Sequence, residues 1–467
     1  MKFGLESEKH LYDLKKNRPS TGVFRFIDAL SDYNDDFGKE NLSRVTNEFV
    51  LNMIEIGTIP SHEPIDVIKD YLFNLLLVEN VSIREDVALV PLGALPMEFL
   101  PHSLPKWAYY LQNSILDGKK QDNWSMEQTS PLKAAGNCAG IHMHVEIETA
   151  PEFLFSNREL MDKFNMGLMM SPLIALGSSP YSFDIHEASS MRGHSYYQGV
   201  YKNDPLLGGL APVMDSSADV LIYFQQGMYS WIDRGMNLGF PQEDLLRLTN
   251  KKGANWSPVR WNRAWNTIEI RCVDSDRMDL DAAKFIFVCN AMARMDLSGE
   301  KLECRELDEA LPLTLENVEL FFNVEEGSVT IPHTQMISEL FDRAVRFGIR
   351  DEIIKRYIQR LMSFAQEKSP KHHQWAYTIL KDMVDNNQTT SEKILAFTKD
   401  APIIPPELSQ KIVLNAIEDQ KASVETIRKL FPDIFERLKV ADSKSHGENF
   451  PFFHRTPVPF AKRNTRK

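Results

Sequence analysis

Residues 140–148, which read GIHMHVEIE, alternate strictly between apolar and polar side chains. Successive side chains of a β-strand point to opposite faces, so this run is typical of a strand with one buried face. Isoleucine, methionine and valine form the apolar face, which the protein core explains. The other face carries His142, His144, Glu146 and Glu148. This polar face is compatible with a zinc site, with a solvated sheet surface, or with one wall of a larger site.

Two other segments show the same two-faced pattern and the same acidic bias. KFGLESEKH places Glu6 and Glu8 on one face of a strand, and WNTIEIRCVD places Glu269 and Arg271 on one face. In the second segment the intervening positions are apolar. Three strands therefore present paired polar side chains on one face, and most of these side chains are carboxylates.

A fourth acidic pair lies in NEFVLNMIEIGT, where Glu48 and Glu55 are seven residues apart. That spacing corresponds to two turns if the segment is helical. It also fits a step from a helix into a strand, and both interpretations stay open.

Clustered carboxylates need a physical explanation. A solvated face of an antiparallel sheet also alternates in polarity, but it usually mixes lysine, threonine, serine and glutamine with glutamate. Like charges about 4 Å apart repel by several kcal/mol at a protein-like dielectric. A carboxylate cluster therefore persists with cations, and hard oxygen ligands favour Mg²⁺ or Mn²⁺ over structural zinc. For any single strand, the solvated face and the metal site both stay open.

The predicted elements mix strands and helices in the first part of the chain. Strands are expected at residues 2–8, 53–59, 87–92, 140–148 and 265–273. Helices are expected at residues 41–52, 62–78, 152–165 and 279–295, the last capped by Asp279 or Asp281. The Gly-, Pro-, Ser- and aromatic-rich stretch 167–260 is expected to be irregular, and long loops of this kind often carry function.

From about residue 335 the apolar residues recur at helical spacing, which predicts an α-helical section. The final stretch, 443–467, carries six Lys and Arg residues against one Glu, with Pro and Phe interspersed. We expect a catalytic domain over 1–300, a helical section over 301–440 and a disordered basic tail over 441–467. Whether that tail docks a protein partner stays open.

Composition narrows the class of protein. The net charge of −12 argues against a general binder of nucleic acid or of an anionic membrane. The four cysteines are widely spaced without a CxxC pair, as in a chain with reduced thiols. No secretory-signal pattern and no run of 18 apolar residues occurs. We therefore expect a cytoplasmic protein with no membrane and no nucleic-acid partner, and a homo-oligomer stays open.

Taken in order, the motifs GLESE, NEFVLNMIEIGT, CAGIHMHVEIE and NTIEIR resemble those of the carboxylate–amine ligases of the glutamate–cysteine ligase type-2 family. Each motif alone is weak, whereas four in order are fairly specific. The resemblance covers roughly residues 1–300. It implies an α+β fold, in which a curved antiparallel sheet forms a glutamine synthetase-like catalytic core, followed by an α-helical C-terminal section.

The resemblance also implies a reaction and a site. ATP and Mg²⁺ (or Mn²⁺) would be required, and a small carboxylic acid would be activated as an acyl phosphate before a small amine attacks it, giving an amide, γ-glutamyl or otherwise. The implied metal ligands are Glu6, Glu8, Glu48, Glu55, His144 and Glu269. The groups facing ATP would be Glu6, Glu8, Glu269 and Arg271. Arg271 would stabilise the transferring phosphoryl group. Arg192 is the second catalytic candidate, since an arginine fork can clamp a phosphate or a carboxylate, and a plain loop role for it stays open.

Two positions depart from the family pattern. Leu95, in the turn GALP, stands where the family often has histidine, and Glu146 stands where a small residue is common. These two residues are expected to face substrate, so the substrates cannot be carried over from the family. His142 is a further candidate for substrate contact, and a role as a metal ligand stays open for it. One hypothesis is that Glu146 favours a cationic amine. The alternatives are a further metal ligand or a solvated residue at the sheet edge.

Other functions remain in competition at this stage. A phosphagen-type kinase of related fold would transfer phosphate to a guanidinium group, but that class relies on several arginines and a loop cysteine. A non-catalytic nucleotide-binding descendant would act through its helical section. A metallohydrolase would keep the carboxylates without needing ATP. Arg260 and Arg263 rank below Arg192 as phosphate ligands, with a surface or cation–π role beside Trp261 or Trp265 as the alternative.

Overall fold

One antiparallel sheet organises the first part of the chain. The computed structural model describes residues 1–37, 44–48, 50–97, 107–120, 136–181, 190–200, 205–252, 255–297, 312–399, 401 and 404–445. The strands are β1 Phe3–Asp13, β2 Arg18–Pro19, β3 Val45–Asn47, β4 Met53–Gly57, β5 Val87–Val90, β6 Gly140–Glu146, β7 Val259–Asn262, β8 Thr267–Asp274, β9 Phe322–Asn323 and β10 Ser328–Val329. Among these residues, eight strands form one sheet in the order β3-β4-β1-β6-β8-β7, with β2 and β5 also paired to β1.

Most of the remaining secondary structure of the described chain is helical. The α-helices are Val23–Phe37, Pro64–Arg84, Trp107–Asp117, Glu159–Met170, Pro205–Gly208, Ser217–Asn237, Gln242–Lys252, Met278–Leu297, Leu315–Glu319, Thr334–Phe347, Glu352–Glu367, Gln374–Asp385, Thr390–Thr398, Pro406–Leu430 and Pro432–Ser445. Short 3₁₀ segments are Pro151–Ser156, Ser171–Ala175, Gly348–Arg350 and Lys371–His373, and Gly193–Val200 is a π-helix. The described part of the chain contains no helix long and apolar enough to span a membrane.

The central strand β1 determines which side chains share a face. Its first part pairs antiparallel with β4 on one side and β6 on the other, and its second part pairs with β2 and β5. The apolar positions of these strands join one large buried core, which includes Leu5, Met143 and Ile270. Helices Pro64–Arg84 and Met278–Leu297 contribute to that core, so the opposite face of the sheet remains for polar side chains.

The expected α+β class with an antiparallel sheet and a helical C-terminal section is confirmed. All five predicted strands are present, and helices 62–78 and 279–295 correspond to Pro64–Arg84 and Met278–Leu297. Asp279 and Asp281 lie in the first turn of the latter helix rather than before it. The boundary expected at residue 300 lies outside the described residues, and so do residues 446–467 of the disordered tail expected over 441–467. Residues 441–445 of that expected tail are instead the end of the helix Pro432–Ser445.

The helix expected over 41–52 is wrong for the residues described from 44 onward. They form a hairpin in which Thr46 lies opposite Glu55. Val50 and Met53 pack together with Ala139 in a small buried cluster. Their three-residue spacing therefore reflects a tight turn beside the sheet and not a helical face.

Two further expectations need correction. The predicted helix 152–165 divides into the 3₁₀ segment Pro151–Ser156 and the helix Glu159–Met170. The stretch 167–260, expected to be irregular, contains the helix Ser217–Asn237, whose first turn is capped because the Ser216 side chain accepts a hydrogen bond from Asp219 N. Aromatic and small residues on its buried side hid the helical period.

A carboxylate-rich candidate active site

Strand register brings the predicted polar pairs together on one face of the sheet. Glu6 lies opposite His142 and Glu8 lies opposite Glu55 across the two edges of β1. His144 lies opposite Glu269 between β6 and β8. Directly opposite residues of antiparallel strands share a face.

Two groups of three side chains have the spacing of a metal site. Glu6, His142 and Glu269 form one group, and Glu8, Glu55 and His142 form the other. In each group the candidate ligand atoms all lie within 4.8 Å of one another. Carboxylates with a single imidazole match the ligand preference of Mg²⁺ or Mn²⁺ better than that of tetrahedral zinc.

The electrostatics of the cluster are uneven. Burial disfavours the charged form of Glu6, but hydrogen bonds to His142 and His144 outweigh it and hold the pKa of Glu6 below its usual value. Glu55 has the opposite shift. Burial raises its pKa well above the ordinary value, and repulsion from the neighbouring glutamates raises it further. Protein groups alone therefore do not neutralise the charge around Glu55.

The two histidines occupy different positions in the cluster. His142 lies centrally, with Nδ1 3.5 Å from Glu6 Oε2 and Nε2 3.6 Å from Glu8 Oε1. His144 Nδ1 is 3.0 Å from Thr267 Oγ1, and its Nε2 lies 3.4 Å from Glu6 Oε2. The indole of Trp265, which is 59% exposed, packs against the His144 ring at 5.0 Å between centroids. The sequence assigned the metal to His144 and left His142 open between metal ligand and substrate contact; in the structure, His142 belongs to both metal-spaced groups.

Glu269 is fully buried among donors. Its Oε1 accepts a hydrogen bond from Arg271 Nη1 at 3.0 Å, and its Oε2 accepts from Arg260 Nε at 2.7 Å and from Asn262 Nδ2 at 3.0 Å. Burial opposes ionisation, but Arg260 and Arg271 hold the pKa of Glu269 well below its usual value. Arg260, ranked low from the sequence, is therefore a direct partner of the cluster. Its position opposite Glu269 follows from the register of the β7–β8 hairpin, and alternation within a single strand does not give that register.

A β-bulge in β8 adds residues that alternation alone does not place on this face. Ile141 pairs with Val273 and Met143 pairs with Ile270, so two residues of β8 lie opposite His142 alone. Beyond the bulge, the polar side of the strand is taken up by Asp274, whose carboxylate is buried. Sequence reasoning missed Asp274, since a bulge shifts alternation by one position.

Arg192 reaches the cluster from the segment before the π-helix. Its Nη1 donates to Glu8 Oε2 at 3.2 Å, its Nε donates to Arg271 O at 2.9 Å, and its Nη2 lies 2.8 Å from His142 Nε2. The side chain is only 2% exposed. The plain loop role left open for Arg192 therefore does not describe its position.

The remaining predicted residues lie at the margin or elsewhere. Glu48 follows β3 and repels Glu55, which places it beside the cluster. Glu146 is the last residue of β6, and its Oε2 accepts a hydrogen bond from Lys2 N at 2.7 Å. The side chain of Leu95, which was expected to face substrate, does not lie in the carboxylate cluster. It is buried in an apolar group with Ile412 and Val413.

A comparison with protein-family profiles agrees with the motifs. The sequence profile of glutamate-cysteine ligase family 2 (GCS2) matches residues 2–318, which include all four motifs and the whole carboxylate cluster. The chain belongs to this family. The resemblance drawn from four short motifs is confirmed. A comparison with curated protein sequences finds no match.

A solved structure has the same fold as this GCS2 member. A bifunctional glutathione synthetase from Pasteurella multocida is similar with a TM-score of 0.51 and 13% identity, over 90% of this chain and 52% of that one. The chain thus spans about half the length of that synthetase, and at this identity the similarity concerns the fold alone. A glutamate–cysteine ligase from Francisella tularensis in complex with AMP aligns at 15% identity and a TM-score of 0.47, over 97% of this chain and 95% of that one.

Proposed function

We propose that this GCS2 member is an ATP-dependent carboxylate–amine ligase that forms an amide through an acyl phosphate. Its substrates in this proposal are a small carboxylic acid and a small amine in the cytoplasm, with a γ-glutamyl amide as one product class. Family membership supports ligation in general. The cofactor and the intermediate are argued from the site.

The observation that carries the proposal is an excess of negative charge on one sheet face. Five glutamates belong to the cluster or border it, namely Glu6, Glu8, Glu48, Glu55 and Glu269. Three arginines contact them, namely Arg192, Arg260 and Arg271. The excess acts on Glu55, whose pKa is raised because of burial and repulsion. Such a cluster calls for cations that the described side chains do not supply.

The donor set fits Mg²⁺ or Mn²⁺. Glu6, His142 and Glu269 would hold one ion, and Glu8 and Glu55, with Glu48 alongside, would hold another. His144, with its Nε2 facing Glu6, would orient that carboxylate or join as a ligand. When bound, the ions would supply positive charge to the phosphate oxygens of ATP.

Arg271 and Arg192 would act on the transferring phosphoryl group. Arg271 Nε is buried and has no hydrogen-bond partner among the described residues, so it is available to an anionic oxygen. An oxygen of the substrate carboxylate attacks the γ-phosphorus, the bond to the β,γ-bridging oxygen breaks, and ADP leaves. The amine then attacks the carbonyl carbon of the acyl phosphate, loses a proton, and displaces phosphate. No side-chain nucleophile is needed.

The test is turnover with pooled substrates. The protein is incubated with Mg²⁺–ATP and pools of carboxylic acids, amino acids and amines, and ADP, phosphate and new amide masses are followed. The proposal expects ADP release that needs both an acid and an amine, and that is lost in Glu269→Gln. Arg158→Ala serves as the control, because Arg158 is exposed and pairs only with Asp162 among the described carboxylates.

Three outcomes would overturn the proposal. ADP together with a phosphorylated acceptor would indicate a kinase of related fold. Hydrolysis without ATP would indicate a metallohydrolase. Nucleotide binding without turnover over a broad panel would indicate a non-catalytic protein.

Glu146 bears on the choice of amine within this proposal. Its carboxylate already accepts a hydrogen bond from Lys2 N, which favours an edge role over contact with substrate. A panel of cationic and neutral amines assayed with wild type and Glu146→Ala decides between the two. Equal preference in both proteins removes the hypothesis that Glu146 selects a cationic amine.

A further inference from the structure

We infer that Asp274 is a positioning residue whose carboxylate joins Ser178 to Ser190 and thereby holds Arg192 against Glu8 and His142. The seating of Arg192 follows from the geometry of the fold. Its effect on turnover rests on the ligase function proposed above.

The Asp274 carboxylate is a bridge between two segments of the chain. Its Oδ2 accepts a hydrogen bond from Ser178 N at 3.0 Å, and its Oδ1 accepts from Ser190 Oγ at 2.8 Å. The residue is 1% exposed and makes no ion pair within the described part of the chain. Because an unpaired buried carboxylate is costly, these two donors are what hold it in place.

The bridge fixes the short segment that carries Arg192. Ser190 Oγ also accepts a hydrogen bond from Gly193 N at 3.3 Å, which closes a tight turn around Arg192. Met191 N donates to Ser179 O at 2.9 Å, so the same two segments are joined a second time. The backbone is therefore fixed by hydrogen bonds at the residues on either side of Arg192, Met191 and Gly193.

Two glycines leave the room that this arrangement needs. A Cβ on Gly93 would lie 2.4 Å from Asp274 Cγ, and a Cβ on Gly140 would lie 2.3 Å from Arg192 Nη1. Real Cβ atoms do not approach other atoms so closely. The absence of a side chain at Gly93 therefore leaves space for the Asp274 carboxylate, and its absence at Gly140 leaves space for the Arg192 guanidinium.

Within the described chain, Arg192 connects Asp274 to the carboxylate cluster. Arg192 donates from Nε and Nη1 to Arg271 O and Glu8 Oε2, and its Nη2 meets His142. Asp274 itself makes no hydrogen bond or ion pair with Arg271, Glu8 or His142 in the described chain. Loss of the carboxylate should therefore act on the cluster through Arg192.

A double-mutant cycle tests this dependence. Asp274→Asn and Ser190→Ala each break the bridge, the second with the smaller disturbance of the fold, and each is combined with Arg192→Ala. Asp276→Asn is the control for the loss of a buried carboxylate away from Arg192. Asp276 also accepts hydrogen bonds from a backbone N–H and a hydroxyl, those of Arg277 and Thr390, and it differs from Asp274 in pairing with Lys284.

The first readout is the kcat for ADP release with the acid and amine that support turnover. We expect Asp274→Asn and Ser190→Ala each to lower kcat about tenfold with little change in the KM for ATP, and to add less than about twofold when Arg192 is already alanine. Equal losses in both backgrounds, or a loss of thermal stability like that of Asp276→Asn with unchanged kcat, would overturn the inference.

The second readout is Mn²⁺ affinity without nucleotide, measured by electron paramagnetic resonance. Arg192 lies on Glu8 and His142, where it competes with a cation, so Arg192→Ala and Asp274→Asn should each tighten Mn²⁺ binding several-fold and not additively. A change in Arg192→Ala with none in Asp274→Asn or Ser190→Ala contradicts the inference. This readout decides the seating of Arg192 even if the wild type proves to have no ligase activity.

Discussion

The two faces of strand β1 carry charge in opposite ways. On one face, Glu6 and Glu8 join a carboxylate cluster that arginines only partly neutralise. On the other face, Lys9 is completely buried and its Nζ donates to Ser275 Oγ at 2.7 Å, to Asp276 O at 2.6 Å and to Asp281 Oδ2 at 2.6 Å. Neighbouring residues of β1 thus belong to two different polar sites. In one site the carboxylates repel one another, and in the other the buried ammonium group has a full set of hydrogen-bond acceptors.

The core-side network leaves no charge without a partner. Asp281 Oδ2 also accepts a hydrogen bond from Tyr71 OH at 2.9 Å, and its Oδ1 accepts from Asp276 N at 2.8 Å. Lys284 pairs with Asp276 at 3.0 Å. This network joins the sheet to the Met278–Leu297 helix. The difference teaches that balanced buried charge serves the fold, and the unbalanced buried charge of the other face is what the proposed cation site rests on.

The largest expected effect is on the site face. Arg271→Ala should lower kcat about a thousandfold with a small change in stability, because it removes a guanidinium aimed at the phosphoryl group while Arg260 still pairs with Glu269. Steady-state ADP release measures the loss, and urea unfolding measures the stability. A loss of activity explained by unfolding would assign Arg271 to the fold.

The core face should respond in stability instead. Lys9→Met should lower the free energy of unfolding by about 3 kcal/mol, because Asp281 is left charged and buried. Urea denaturation measures this change. Adding Asp281→Asn should restore part of the loss, because the buried charge is then removed. A change in Lys9→Met well below about 1 kcal/mol would remove the contrast between the faces.

An acidic group on the core side offers a pH test. Burial raises the pKa of Glu79 from 4.5 to about 7, although Gln420 donates a hydrogen bond to it. The folded form binds this proton more tightly than the unfolded chain, so its contribution is fully present below pH 4.5 and is lost as pH rises through 7. Glu79→Gln should therefore gain about 2 kcal/mol over wild type between pH 5 and pH 8. A gain that is independent of pH would show that Glu79 is not the titrating group.

The smallest expected effect has the opposite sign to that of Lys9→Met. Without divalent cations, Glu55→Gln should raise the free energy of unfolding by about 1 kcal/mol, because it removes a repelled carboxylate. The same variant should lose much of the stabilisation that Mn²⁺ gives the wild type. Urea unfolding with and without Mn²⁺ separates the two effects. A lower free energy of unfolding for Glu55→Gln in the absence of cations would mean that other protein groups already stabilise the Glu55 carboxylate.

Sequence patterns predicted the faces of single strands well. Alternation placed Glu6, Glu8, His142 and Glu269 on the polar sides of β1, β6 and β8, and the structure brings these sides together. A period of two fixes which residues of one strand share a face. It is silent on the register between strands, so the position of Arg260 opposite Glu269 could not be derived.

Other features depended on tertiary contacts. The first strand of the hairpin, Val45–Asn47, was predicted as part of a helix, whereas it pairs with the correctly predicted strand that carries Glu55. The bulge opposite His142 moved Asp274 to the site face without a local signal in composition. The side chain of Leu95, expected to face substrate, packs on the Pro406–Leu430 helix, over 300 residues away in sequence. Such contacts override local patterns.

The most direct test of the ligase mechanism follows one oxygen atom. The acid that supports turnover is labelled with ¹⁸O in both carboxylate oxygens, and the phosphate and amide products are analysed by mass spectrometry. Ligation through an acyl phosphate predicts one ¹⁸O atom in each phosphate released and one retained in the amide. Phosphate free of ¹⁸O alongside ADP would contradict the mechanism, because ATP would then have been cleaved without activating the carboxylate.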